Sequence, residues 1–248
     1  MNRVKEMLRS GETAIGATPF VEGEVQFLKN AGFDFLLFDI QHSPLEIKGL
    51  ARPITSMRGC EAIPIIRVGD NRADEICYAL DVGAKGIIVP MVNTADEAER
   101  MVASCKYPFD GIRSSTGARG DWGEFASYRE YMDAVNEQLL IIPMIETAEA
   151  IRNLEGILKV QGIDVLLVGP SDLSINLDVP LDYLNPKYID TLDIIAEKAL
   201  AAGVVPGMFF VPPGIELNEL TNKGYRFFTM PWNVWAREGI QAGLAGIR

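Results

Sequence analysis

The stretch Phe33-Asp34-Phe35-Leu36-Leu37-Phe38-Asp39-Ile40-Gln41-His42-Ser43-Pro44 sets the reading of the whole chain. Phe35 to Phe38 is a continuous apolar run, the pattern of a strand covered on both faces in a parallel sheet. It passes directly into a polar tip with Asp39 and His42, and Pro44 suits the first turn of a following helix. Polar groups beyond the carboxyl end of such a strand lie where α/β proteins place their chemistry. His42 is the only histidine among 248 residues, so any imidazole chemistry has one source. The competing reading is a loop histidine without a role.

Working outward, the same alternation recurs. Strands are expected at 14–17, 35–38, 62–68, 86–91, 139–145, 165–168, 205–210 and 227–230. Helices are expected at 3–10, 21–30, 44–58, from an Asn71 cap to 81, from a Thr94 cap to 105, then 125–137, 147–159, 186–202, 213–222 and 233–245. Gly83 should end the helix before strand four. No Pro/Gly/Ser linker or charge block divides the chain, so residues 1–248 are expected to form one domain. Repeated βα units in this number predict an α/β fold of the closed (β/α)8 barrel type rather than an open doubly wound sheet. No G-x-G-x-x-G, P-loop or G-x-S-x-G motif is present.

With 48% hydrophobic residues the chain can build a large core. Lys+Arg 23 against Asp+Glu 34 gives a net charge of −11, which opposes nucleic acid and anionic membranes as partners. An anionic small-molecule substrate therefore needs local positive groups. Cys60, Cys77 and Cys105 form no CxxC pair, so neither a zinc site nor a disulfide framework is indicated, and a reducing cytoplasm is the expected location. No signal peptide is evident, and no apolar run approaches the roughly 18 residues of a membrane span.

If the strands are placed correctly, one mouth should collect Asp39 and His42 after strand two, Arg67 at the end of strand three, Glu146 after strand five and Asp172 after strand six. Two carboxylates without a second histidine or suitable cysteine suit a hard divalent ion, Mg²⁺ or Mn²⁺, with water or substrate oxygens filling the octahedron. A structural ion pair is the competing role for Glu146. Arg67 offers a planar fork for a carboxylate or a developing enolate. Gly169-Pro170-Ser171-Asp172 turns into a possible helix start, where backbone N–H groups can cradle a carboxylate. One irregular passage, 107–124, carries Arg113, Arg119 and Trp122 and is long enough to expect a functional loop. Schiff-base chemistry would need a lysine in the mouth, yet Lys85 precedes strand four and the others fall on helices or outer loops. Metal, arginine, histidine base and carboxylate cradle together describe enolisation of a 2-oxo acid with no organic cofactor.

The segments Asp39 to Pro44, Ile66-Arg67-Val68, Asp81-Val82-Gly83-Ala84, Val89-Pro90-Met91-Val92, Gly111-Ile112-Arg113, Ile145-Glu146-Thr147 and Val168 to Leu173 resemble the class II pyruvate aldolases of the 4-hydroxy-2-oxoheptanedioate aldolase family. The resemblance spans roughly residues 12 to 240. It implies a barrel with Glu146 and Asp172 as ligands of Mg²⁺, Mn²⁺ or Co²⁺, His42 as base, Arg67 on the enolate and Ser171 at the pyruvate carboxylate, beside Gly169 and Pro170. It further implies that Asp39 joins the proton-handling network, that Asp81 supports the histidine of another subunit, and that the chain forms a hexamer exchanging its last helix. Many members carry Glu-His where this chain has Gln41-His42, and a glutamine where it has Met144; a hydroxyketoacid aldolase branch with Gln-His and Met-Ile-Glu is closer.

The implied reaction is reversible cleavage of 4-hydroxy-2-oxo acids to pyruvate, or a related 2-oxo acid, and an aldehyde. The alternatives are another lyase or synthase forming enolpyruvate on the same scaffold, and a catalytically silent protein that binds small acids.

Overall fold

In the computed structural model, which describes residues 2–118 and 120–247, eight parallel strands close on themselves in chain order. They are β1 (Ala14–Ala17), β2 (Phe35–Asp39), β3 (Ile63–Arg67), β4 (Gly86–Val89), β5 (Leu140–Ile145), β6 (Val165–Val168), β7 (Val205–Met208) and β8 (Phe227–Thr229). Strand β8 returns to β1 with Ala14 opposite Phe227. The β2–β3 ladder runs from Phe35 opposite Ile63 to Asp39 opposite Arg67, which brings those two charges to one level.

Alternation along the strands divides the core in two. Phe35, Leu37, Ile63, Ile65, Leu140, Ile142, Met144 and Leu167 fill the barrel interior. Leu36, Phe38, Ile66, Ile141, Ile145, Leu166 and Val168 face the helices. Side chains two residues apart share a face of a strand, so the next inward positions after Leu37, Ile65 and Met144 are Asp39, Arg67 and Glu146. This is why three charged side chains end up only 6%, 5% and 3% exposed. The interior is tight: the rings of Phe35 and Phe227 stack at 4.3 Å, and a Cβ on Gly16 would lie 2.1 Å from the Phe35 ring.

The first helix, α1 (Arg3–Arg9), closes the amino-terminal end of the barrel. Its Val4 and Leu8 join the interior cluster, and Asn2 donates to the carbonyls of Lys85 at 2.8 Å and Gln138 at 2.9 Å. Lys5 reaches Asp164 at 3.0 Å. Burial holds the Lys5 ammonium below its usual pKa although Asp164 opposes the shift. The barrel is therefore open only where the strands end.

Most of the outer helices follow the sequence reading: α2 (Glu22–Leu28), α5 (Ala95–Cys105), α6 (Tyr128–Gln138), α10 (Pro186–Ala201) and α11 (Leu217–Asn222). Thr94 caps α5 in a capping box with Glu97, and Gly83 adopts φ 112. Several details differ. The expected helix over 44–58 is a 3-10 turn, Ile47–Leu50, leading into α3 (Ala51–Thr55). Helix α4 (Ala73–Asp81) is capped at Arg72, because the Asn71 side chain instead donates to the Glu97 carbonyl at 2.9 Å. The helix over 147–159 splits into α7 (Ala148–Arg152) and α8 (Leu154–Leu158), with Asn153 between them donating to the Asn93 carbonyl at 2.9 Å. A further helix, α9 (Pro170–Asn176), follows β6 with Pro170 in its first turn. The final α12 (Trp232–Ala245) buries none of its residues. No helix among the described residues is long and apolar enough to cross a membrane. Arg119, named in the long loop, lies outside the described residues.

Candidate active site

The mouth is organised around a buried ion pair. Arg67 donates Nε to Asp39 Oδ1 at 2.8 Å and Nη2 to Oδ2 at 2.6 Å, the bidentate geometry that suits a guanidinium to a carboxylate. Asp39 Oδ1 also accepts the backbone N–H groups of Gln41 at 3.0 Å and His42 at 3.4 Å. Burial alone would push the Asp39 carboxyl up, but the hydrogen bonds and charge of Arg67, with those two amides, hold it below its ordinary range. Among the described residues the remaining guanidinium nitrogen, Nη1, meets only the Met144 thioether at 3.7 Å. A thioether is a weak acceptor, so one Arg67 donor is left for an incoming oxygen. Arg67 Cζ lies 4.2 Å from the Phe209 ring centroid, which fixes the plane of the fork.

Glu146 occupies the corresponding place after β5. Its Oε1 accepts the Met91 N–H at 2.7 Å, and Met91 holds φ 54, an uncommon value for a residue with a side chain. No described residue donates a hydrogen bond to Oε2. Burial raises the Glu146 pKa; Asp172 adds to the shift by like charge, while the Met91 amide and Arg67 oppose it. Glu146, Asp172 and Arg67 are thus close enough to sense one another. Asp172 is exposed in the first turn of α9. A Cβ on Gly169 would fall 2.4 Å from Glu146 Oε2, so the absence of a side chain there gives the carboxylate its room.

Two mutually repelling carboxylates, one with an uncommitted oxygen, fit a divalent cation. The described residues contain no group of three or more His, Cys, Asp or Glu that could cage one. Such a pair suits an ion that keeps several water or substrate oxygens, as Mg²⁺ does. Ser171 lies on α9 beside Asp172, its hydroxyl 3.3 Å from that of Tyr183. Pro170 has no amide hydrogen, so the Ser171 and Asp172 N–H groups are the donors that the first turn of α9 offers.

Two residues stand apart. His42 follows β2 as expected but is exposed, and no described residue hydrogen-bonds its imidazole. Asp81 lies at the end of α4, towards the start of β4, and is bound there by Arg113 Nη2 at 3.0 Å. That guanidinium is buried against Tyr107 at 4.4 Å. The irregular passage thus delivers Arg113 to Asp81, and the pair lies away from the mouth of its own barrel. Sequence reasoning overlooked Phe209 and Thr229. Both take the inward position two residues past an interior one, Gly207 and Phe227, and the period of two could have found them.

Comparison with known proteins gives the family and the fold. A family model described as HpcH/HpaI aldolase/citrate lyase matches residues 24–230. A 4-hydroxy-2-oxovalerate aldolase of Rhodococcus jostii (strain RHA1) is 36% identical over 214 residues, covering 84% of this chain and 81% of that protein. A hydroxypyruvate/pyruvate aldolase of Roseobacter denitrificans (strain ATCC 33942 / OCh 114) is 32% identical, covering 83% of this chain and 82% of that protein. The crystal structure of an HpcH/HpaI aldolase/citrate lyase family protein from Burkholderia cenocepacia J2315 superposes with a TM-score of 0.87 at 26% identity, covering 100% of both chains.

Proposed function

Because this chain belongs to the HpcH/HpaI aldolase/citrate lyase family and is an aldehyde-lyase, we propose how its mouth cleaves 4-hydroxy-2-oxo acids to pyruvate and an aldehyde. Glu146 and Asp172 would hold a divalent cation, Mg²⁺ or Mn²⁺, with Co²⁺ as a substitute. When bound, that cation supplies a Lewis acid that draws electron density from the 2-oxo group. Arg67 Nη1 faces the same oxygen as charge gathers on it, an interaction stronger in the transition state than in the ground state. Asp39 acts by fixing Arg67: with both of its oxygens engaged, it orients the fork and is thereby part of the proton-handling network only indirectly. Ser171 and the first-turn amides of α9, next to Gly169 and Pro170, receive the substrate carboxylate, and Met144 lines the floor beside Arg67.

In the cleavage direction His42 takes the proton of the C4 hydroxyl. The C3–C4 bond breaks, its electron pair passes to the enolate, and the aldehyde leaves. A proton then returns to C3 to give pyruvate. His42 is the only imidazole in the sequence, and imidazole is the side chain most often used for such proton transfer. The observation that carries the reading is the half-free Arg67 fork beside the buried Glu146 carboxylate and the exposed Asp172 that it senses.

Assembly belongs to the same proposal. Val234, Trp235, Ile240 and Leu244 on α12 are 40%, 45%, 64% and 44% exposed, apolar surface that a neighbouring copy would cover. This supports a homo-oligomer, with the hexamer and exchanged last helix as its expected form; the cytoplasm as its location rests on three cysteines that form no disulfide framework. In it Asp81, remote from its own mouth, would support the histidine of a neighbouring subunit.

The decisive experiment follows exchange of the pyruvate methyl protons in D2O by NMR, with Mg²⁺, Mn²⁺ or Co²⁺ and with chelator. Exchange that requires a divalent cation is expected. No exchange with any of the three ions would overturn the enolate reading.

A further inference from the structure

The mouth has two chemically different halves. The carboxylates arrive from β5 and β6, while the loops after β7, β8 and β1 enclose a cavity of about 420 Å³ lined by Thr18, Phe20, Phe209, Phe210, Val211 and Trp232. That volume lies within the range of about 300–1,000 Å³ usual for small-molecule sites. Asp39 lines it as well, so the cavity is continuous with the Arg67 pair. Its walls are held in place. Trp232 Nε1 donates to the Thr18 carbonyl at 3.0 Å, Phe210 meets Tyr183 edge-on at 6.2 Å, and Phe209 is covered by the guanidinium of Arg67. The Thr229 hydroxyl is already used on the Phe209 carbonyl.

The charge pattern is one-sided. Among the described residues no Lys, Arg or His lines this cavity, and its one charged side chain, Asp39, is neutralised by Arg67. A ligand carrying a second carboxylate would lose hydration there, find no counter-charge and lie near an existing carboxylate. An uncharged hydrocarbon or aryl chain would meet aromatic and aliphatic walls.

Resting on the enolate-forming reading above, we infer that this cavity receives the aldehyde partner and selects uncharged, predominantly apolar aldehydes against those bearing a carboxylate. In the synthetic direction C3 of pyruvate gives a proton to the base. The resulting electron pair forms a bond to the aldehyde carbon, the carbonyl pair moves to the aldehyde oxygen, and that oxygen takes up the proton. The aldehyde carbon must reach C3 beside Arg67. The tail behind it extends into the space between β7 and β1, where it is sorted by charge.

The test compares two acceptors of equal length in aldol addition to pyruvate by the cation-loaded enzyme: a five-carbon alkanal and the same chain ending in a carboxylate. The expected kcat/KM favours the alkanal by about tenfold or more, the scale on which apolar pockets discriminate. Phe20 is 48% exposed at the lip of the cavity, so Phe20→Arg can add a counter-charge with little effect on the core. It should move the ratio by about tenfold towards the carboxylate-bearing aldehyde. Pyruvate proton exchange, which needs no aldehyde, is measured on the same wild-type sample. Exchange together with equal kcat/KM for the two aldehydes, or a ratio that Phe20→Arg leaves in place, overturns the acceptor cavity and spares the enolate reading. Loss of exchange overturns both.

Discussion

Asp39 grips Arg67 with both carboxylate oxygens, at 2.8 and 2.6 Å, and each residue is nearly removed from solvent. Breaking such a pair by removing one partner leaves a buried charge uncompensated and costs about 3–5 kcal/mol. Asp39→Asn should therefore lower Tm and, by freeing the fork, lower kcat. Because Arg67 holds the folded carboxyl below its ordinary value of 3.8, the pair's contribution is complete above that value and is lost as pH falls through the lower, folded one. Stability measured from pH 7 into the acid range should fall more steeply in wild type than in Asp39→Asn. Parallel curves would contradict this account of the pair.

Arg67→Lys keeps a positive charge and loses the fork. It cannot satisfy both Asp39 oxygens while presenting a donor to substrate, so kcat should drop by about 10²-fold or more with a smaller change in pyruvate affinity. Equal losses in both would mean that Arg67 serves only ground-state binding.

Glu146 titrates above its ordinary value of 4.5 because it is buried and faces Asp172. A raised folded pKa means that the metal-free protein gains stability as pH falls through that value, since the buried charge is relieved. Cation binding needs the ionised form and weakens over the same range. Calorimetric titration with Mn²⁺ from pH 7 downward should show affinity declining before pH 4.5 is reached. Glu146→Ala should bind the ion far more weakly, and wild-type affinity in that variant would remove Glu146 as a ligand.

Gly169→Ala tests the room given to that carboxylate. The added methyl would sit 2.4 Å from Glu146 Oε2, closer than atoms can pack, so the side chain must swing away. Displacement of about 1 Å at a reacting centre costs about 10²-fold in rate. A folded variant with wild-type cation affinity and turnover would show that Oε2 has no part in either.

His42→Ala should lower aldol cleavage and pyruvate proton exchange by about 10²–10⁴-fold. Subunits carrying His42→Ala mixed with subunits carrying Asp81→Ala should recover part of the activity if the histidine of one copy leans on the aspartate of another. No recovery after demonstrated subunit exchange would confine Asp81 to its ion pair with Arg113.

Much of this was legible from residue order because the barrel imposes a simple rule. The period of two that buries Phe35 and Leu37 carries on to Asp39, and the same count places Arg67 and Glu146. What escaped depends on partners distant in sequence. Asn71 has the chemistry of a cap, but the Glu97 carbonyl on the next helix claims its side chain. Asp81 meets Arg113 only because an irregular passage folds back beneath α4. The amide that holds Glu146 comes from Met91, in a backbone conformation that its side chain does not advertise.

The helix that plugs the amino-terminal end has a kinetic meaning. Val4 and Leu8 fill the interior and Asn2 ties the plug to Lys85 and Gln138, so the barrel is a cup rather than a tube. Oxo acid, aldehyde and cation all enter and leave by the same rim. An aldehyde lodged between β7 and β1 therefore obstructs pyruvate on its way in and out, and excess acceptor should slow the synthetic reaction by queueing at one gate.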